Sequence, residues 1–219
     1  MRALVCNTYG PPESMVIEER DDPVPDQGQV LVDIKAAGIN FPDVLAIAGK
    51  YQVKTPTPFI PGNEAAGIVS AVGADVTQFA IGDNVIINSP GGAFAEKCVA
   101  DVHMSVPLPD ELSFEQGAGF TVTYGTSYHA LKQSANLQAG ETLLVLGAAG
   151  GVGITAVEIA KAMGARVIAA ASGDEKLDFA VSAGADETIN YSKVPLKETV
   201  KELTGGKGAD VVYDPVGGE

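Results

Sequence analysis

The chain has 219 residues, 46% of them hydrophobic, enough for a substantial core in one large domain or two modest ones, and this argues against disorder. Fourteen Lys and Arg against twenty-eight Asp and Glu leave a formal charge of -14, which would repel a nucleic-acid backbone or an anionic membrane surface. An anionic cofactor stays within reach, because backbone amides and one local cation can hold a phosphate whatever the net charge.

Residues 1–6 move straight into an apolar strand, without a secretory signal or a hydrophobic stretch of membrane-spanning length, so a soluble protein is expected. Up to about residue 110 short apolar runs (Ala3–Val5, Val30–Ala36, Gly67–Val72, Asn84–Ile87 and Phe94–Val99) alternate with Pro and Gly punctuation, as in a mostly β barrel or sandwich. The two cysteines, Cys6 and Cys98, lie far apart with no metal-like spacing, which fits a reducing cytoplasm better than a disulfide framework. Ser113 followed by Gln116 reads as a capping box that opens a helix, and Thr126–Gln133 reads as a second helical stretch; together they form a connector. The division predicted is a first domain at 1–115 and a second, with the connector, at 116–219.

From Glu141 the pattern changes. Strand Thr142–Leu146, helix Gly151–Met163, strand Arg166–Ala171, helix Asp174–Ala183, strand Glu187–Asn190, helix Pro195–Leu203 and strand Ala209–Tyr213 alternate with short loops, which predicts an α/β doubly wound parallel sheet. Between the first strand and helix lies the run Gly147, Ala148, Ala149, Gly150, Gly151, Val152, Gly153, suited to a tight turn that admits a pyrophosphate to the backbone. Its register is open: aligned on Gly150 and Gly153 the first glycine of the dinucleotide fingerprint is Ala148, whereas Gly151, Gly153 and Ala156 fit the variant ending in Ala. The second strand ends at Ala171 and Ser172 without the carboxylate that would bind the ribose 2′-hydroxyl of NAD, and Ser172 with nearby Lys176 suits a 2′-phosphate, the other reading of Lys176 being a solvated face of the second helix. NADPH is therefore the expected cofactor. Tyr191, just past the third strand, would lie beside that pocket or stand as a rim aromatic.

These residues, with the runs 37–43 (AGINFPD), 61–67 (PGNEAAG), 72–83, 122–126 (VTYGT) and the glycine turn, resemble the quinone oxidoreductase (zeta-crystallin-like) branch of the medium-chain dehydrogenase/reductase superfamily along the whole chain. The resemblance implies a GroES-like β-barrel domain followed by a partial Rossmann sheet, a homodimer, and NADPH held by Gly150, Gly151, Val152, Ser172, Lys176 and Tyr191. Zinc-dependent alcohol dehydrogenases of that superfamily place Cys and His on the catalytic metal where this chain has Asn40 and Asn63. The segment 84–97 also lacks the cysteines of their structural-zinc lobe, so no metal is expected, and His103 and His129 are read as structural.

What the resemblance then implies is hydride transfer from NADPH to a small electrophilic acceptor, a quinone or related conjugated carbonyl. Asn40 would contact the acceptor oxygen or hold the nicotinamide region, Thr126 would lie near the nicotinamide, and Tyr51 would line the cleft or pack on Phe59. Val44, Leu45 and Ala46 stand where some members carry a further Tyr, which makes the cleft less polar. Two other activities are compatible: enoyl-thioester reduction with Tyr51 as the proton donor, and NADPH binding without catalysis. Members of the family continue beyond this point to complete a six-stranded sheet. A chain ending after the fourth strand is expected either to self-associate through that exposed strand edge or to be a truncated form with weakened cofactor binding and little reductase activity, the alternative being that it is part of a longer gene product.

Overall fold

The computed structural model describes residues 1–217, which divide into two compact units, Met1–Val122 and the chain from Thr123 onward. In the first, β1 (Arg2–Val5) and β2 (Val16–Glu19) form an antiparallel pair. β3 (Gln29–Gly38), helix α1 (Phe41–Ile47), β4 (Glu64–Val72), β5 (Asn84–Asn88), β6 (Lys97–Asp101) and β7 (Ser105–Pro107) follow. The five later strands make one antiparallel sheet in the order β6-β3-β4-β5-β7. That order forces curvature. In a flat sheet the two edges would lie about 19 Å apart, at about 4.8 Å per strand. The turn Val102–Met104 that joins the edge strands β6 and β7 reaches at most about 14 Å. Register shifts in the β3–β4 pairing, between Leu31 and Val32 and between Ile34 and Ala36, supply bends of the kind that let a sheet close.

The curled sheet is buried on both faces. Val30, Val32, Ala65, Val69, Val85 and Ile87 fill the interior with Phe79 and Cys98. On the other face Ala66 and Ile86 pack with Leu108 and Ala118 beneath helix α2 (Phe114–Ala118). Ser113 opens α2 with the expected reciprocal cap: the Gln116 N–H donates to Ser113 Oγ (3.2 Å) and the Ser113 N–H to Gln116 Oε1 (2.9 Å). This helix, assigned from sequence to the connector's start, packs on β3 and β4. The run expected as one strand at Phe94–Val99 is shared between two partners. Leu4 N–H donates to Phe94 O and Glu96 N–H to Arg2 O, tying 94–96 to β1, while Glu96 O accepts the Ile34 N–H of β3 and from Lys97 the chain pairs with β3 in register.

The helix expected at Thr126–Gln133 begins earlier, as α3 (Thr121–Tyr128), and runs into a π-helical turn at His129–Ser134. In the second unit β8 (Thr142–Leu146), α4 (Gly151–Ala162), β9 (Arg166–Ala171), α5 (Asp174–Ser182), β10 (Glu187–Asn190), α6 (Leu196–Leu203) and β11 (Val211–Tyr213) alternate as predicted. All pairings are parallel, in the order β10-β9-β8-β11. Leu143, Val145, Val167 and Ala169 face one core with Ala156 and Ala160 of α4; Leu144, Ile168 and Ala170 face the other with Val200 of α6. The alternation is that of strands covered by helices on both sides. No helix among the described residues is long and apolar enough to cross a membrane.

Candidate functional sites

At the carboxyl end of β8 the open register of the glycine turn resolves to Gly147, Gly150 and Gly153. Gly147 turns the chain at φ 59°, a left-handed conformation that favours glycine. Gly150 caps α4, and Gly153 lets the helix close on the turn: a Cβ there would lie 2.3 Å from Gly147 O and 2.9 Å from the Ala148 Cα. The first helical hydrogen bond runs from Ile154 N–H to Gly150 O, so the amides of Gly151 and Val152 precede the ladder at the positive end of the helix dipole.

Beside this turn a cleft of about 380 Å³ is lined by Gly147, Ala149, Gly150, Ala171, Ser172, Lys176, Tyr191 and Val216. Four of the residues expected from sequence to bind the cofactor, Gly150, Ser172, Lys176 and Tyr191, thus surround one cavity. No carboxylate among the described residues lines it. Lys176 Nζ donates to Ser172 Oγ at 3.4 Å, the i to i+4 spacing across the start of α5, and no carboxylate among the described residues lies within ion-pair distance of that ammonium. Tyr191 is held at its backbone, where its N–H continues the β9–β10 ladder to Ala171 O (3.2 Å), and its side chain stays 39% exposed at the rim.

Thr126 lies exposed on α3. Its neighbour Ser127, which sequence reasoning passed over, is fully buried: its Oγ lies 2.8 Å from Val152 O, 2.9 Å from Thr155 Oγ1 and 3.2 Å from the Tyr213 hydroxyl. Thr155 Oγ1 in turn donates toward Thr123 O (3.2 Å). This polar knot fastens α3 to the first turns of α4. Tyr124 is hydrogen-bonded to Glu158, and that carboxylate, followed by burial, pushes its phenol up to about 12.

In the first unit Asn40 caps α1, and its N–H donates to Asp43 Oδ2 at 2.7 Å. The Asn40 carboxamide donates from Nδ2 to Glu64 Oε1 at 2.8 Å, while Glu64 Oε2 accepts the Val122 N–H at 2.8 Å. Glu64 and Asp43 are each 1% exposed, and burial raises the pKa of both. Because the ionised carboxylate can only accept, Glu64 fixes which end of the Asn40 amide faces it. A charged residue opening the apolar run 64–69 was the available signal for this role. Tyr51 follows α1, half-buried, with its N–H on Leu45 O at 3.1 Å; the ring that meets Phe59 is Tyr9, centroids 6.5 Å apart, and not Tyr51. His129 Nδ1 pairs with Gln133 Oε1 at 2.5 Å, and no group of three or more His, Cys, Asp or Glu residues suited to a metal occurs among the described residues.

A curled antiparallel sheet followed by a parallel sheet with a glycine-rich first turn defines a two-part α/β protein whose second part is of the dinucleotide-binding class. Residues 26–110 match the alcohol dehydrogenase GroES-like domain family and residues 151–219 the zinc-binding dehydrogenase family. The chain is 43% identical to the quinone oxidoreductase-like protein 2 homolog of Nematostella vectensis, over all of this chain and 60% of that protein. It is 37% identical to human quinone oxidoreductase, over 98% of this chain and 66% of that protein. The structure of Escherichia coli quinone oxidoreductase complexed with NADPH superposes with a TM-score of 0.94 at 36% identity, covering 100% of this chain and 67% of that one. The chain belongs to the quinone oxidoreductase branch of the medium-chain dehydrogenase/reductase superfamily. It spans about three-fifths of the length of the first curated relatives it matches.

Proposed function

We propose that this chain is part of an NADPH-dependent oxidoreductase that passes hydride to a quinone or a related conjugated carbonyl acceptor without zinc. The observation that carries the reading is the acid-free cleft at the tips of β9 and β10, where Ser172, Lys176 and Tyr191 meet the glycine turn. Its residues fit a dinucleotide phosphate: the amides of Gly151 and Val152 offer N–H donors, Ser172 offers a hydroxyl, and Lys176 offers a cation. The E. coli relative was solved as a complex with NADPH, which supports the same choice. When bound, NADPH supplies a hydride from the nicotinamide C4, and the protein's part is orientation and polarity.

From the first unit Asn40 and Tyr51 are the proposed catalytic residues. Asn40, with its amide fixed by Glu64, offers Oδ1 and its second Nδ2 hydrogen for a carbonyl oxygen or the nicotinamide carboxamide. Tyr51 offers a phenol, and Thr126 is assigned to the nicotinamide end. Carboxamides are poor zinc ligands, which supports a zinc-free reaction. Buried, free thiols at Cys6 and Cys98 fit a cytoplasmic protein. A homodimer belongs to the same reading.

The test is titration of the protein with NADPH and NADH. NADPH should bind more tightly by about one to two decades, the scale of one charge-assisted contact to phosphate, and Lys176→Ala should remove most of that difference. Equal dissociation constants for the unmutated protein overturn the cofactor assignment. A panel of quinones beside 2-enoyl thioesters then decides the acceptor, and one zinc per chain by elemental analysis ends the zinc-free mechanism.

A further inference from the structure

The cleft takes Ser172 and Lys176 from the segment after β9 and Tyr191 from the segment after β10, and each segment continues beyond the lining, to Asp174 in the first and to Ser192 and Lys193 in the second. Three side-chain hydrogen bonds stitch them together. Asn190 Nδ2 donates to Asp174 Oδ1 at 2.7 Å, Lys193 Nζ to Asp174 Oδ2 at 2.5 Å, and Ser192 Oγ to Ser172 O at 3.1 Å. Asp174 is thus the carboxylate nearest in sequence to the strand tip, two residues past Ser172, and both of its oxygens are engaged. Its pKa is held down by the Lys193 ammonium first and by Asn190 second. The side chains of Asp174 and Lys193 are 63% and 62% exposed, and ion pairs so open to solvent contribute little to stability. What the pair does change is the local field. The two loops carry Asp174, Glu175, Lys176 and Lys193, which balance; without Lys193 they would be net negative around a subsite built for a dianion.

We propose that Lys193 determines cofactor specificity by acting through Asp174: it neutralises an acid that stands between the cleft residues Ser172 and Lys176 and would otherwise repel a ribose 2′-phosphate. The inference rests on the NADPH reading above. Asn190 assists by occupying the other carboxylate oxygen, so that Asp174 is not available as the ribose-binding acid of an NAD-type site. Lys176 then meets the phosphate, while Lys193 acts one layer behind it.

The experiment is fluorescence titration of the full chain with NADPH and, separately, with NADH, at low and high salt. Lys193→Gln should weaken NADPH roughly three- to tenfold and leave NADH unchanged, the scale of one uncompensated surface charge acting on a phosphate dianion. The loss should shrink in high salt, where screening covers the distance involved. Asp174→Asn combined with Lys193→Gln should restore the NADPH to NADH ratio, which a purely structural role of the clasp would not do, since that variant lacks the ion pair as well. An unchanged ratio in Lys193→Gln, or a double variant no better than the single one, overturns the proposal while leaving the NADPH reading intact. Equal affinities in the unmutated protein remove both.

Discussion

Both units carry ion pairs near the surface, such as Arg2 on Glu96 in the barrel and Lys193 on Asp174 in the parallel-sheet unit, but among the described residues only the barrel also buries carboxylates. In the barrel, Asp43 and Glu64 sit inside, each 1% exposed, with Glu64 answered at both oxygens by Asn40 Nδ2 and the Val122 N–H and Asp43 answered at Oδ2 alone by the Asn40 N–H. In the parallel-sheet unit the ionised partners stay at the rim, as with Lys161 on Asp186, Arg166 on Glu187 and Lys193 on Asp174. Buried carboxylates fix geometry at an energetic cost, since each oxygen must find a donor. Rim pairs cost little and shape the field that a soluble ligand meets. The difference suits a barrel whose Asn40 needs one orientation, and a sheet whose loops must admit and release a phosphate.

The largest effect is expected where backbone meets backbone. Gly153→Val puts its first carbon 2.3 Å from Gly147 O, so urea unfolding of the second unit should lose about 3 kcal/mol or more, with NADPH binding lost alongside. Gly125 on α3 has no atom within 4 Å of its would-be Cβ, so Gly125→Ala should be neutral or stabilising by about 0.5–1 kcal/mol. A similar loss from both variants would mean that the close approach at the turn is not what demands glycine.

Next comes the buried acid. Glu64→Ala strands the Asn40 Nδ2 and the Val122 N–H, and should destabilise the barrel by about 2–4 kcal/mol, whereas Lys193→Gln at the rim should leave the urea midpoint in place. If the two variants unfold alike, burial does not separate the units.

The smallest effect is a slope with pH. Burial raises Glu64 above its ordinary 4.5, so its contribution to stability is greatest below 4.5 and is lost as the pH rises through the folded value. Asp186 runs the other way. Burial pushes it up, but the Lys161 ammonium and the Val167 N–H together outweigh that and hold it below 3.8, so its contribution is present above 3.8 and is lost as the pH falls through the folded value. In urea titrations from about pH 3 to 7, the stability of the parent relative to Glu64→Gln should fall with rising pH, and relative to Asp186→Asn it should fall with falling pH. Two pH-independent gaps would remove the contrast.

The parallel-sheet unit was legible almost residue by residue, with β8, β9 and β10 at their predicted limits, because helices cover both faces and short loops set each boundary locally. That Ser172, Lys176 and Tyr191 line one cleft was readable because strand tips and helix starts place side chains at fixed offsets. The barrel was less legible. Phe94–Val99 looks like one strand, yet its two halves serve β1 and β3, a division decided by partners more than sixty residues upstream. Helix α1 hides behind Pro42 and an apolar run too short to show a period. Ser127 and Glu64 escaped notice because hydrogen-bond satisfaction is a property of the assembled core. A hydroxyl in a helix or an acid before alanines has no local signature of its partner.

The serine knot of the second unit also bears on time. Ser127 and Tyr213, whose hydroxyls meet at 3.2 Å, are 86 residues apart, and β11 pairs with β8 across everything synthesised between them. At a ribosomal pace of about 5–20 residues per second, several seconds separate the appearance of the two groups. During that interval Val152 O and Thr155 can already receive Ser127, so α3 and α4 can join without waiting. Tyr213 then arrives as a latch on a pair already formed. The emerging chain therefore need not leave a buried hydroxyl unanswered while its fourth strand is still to come.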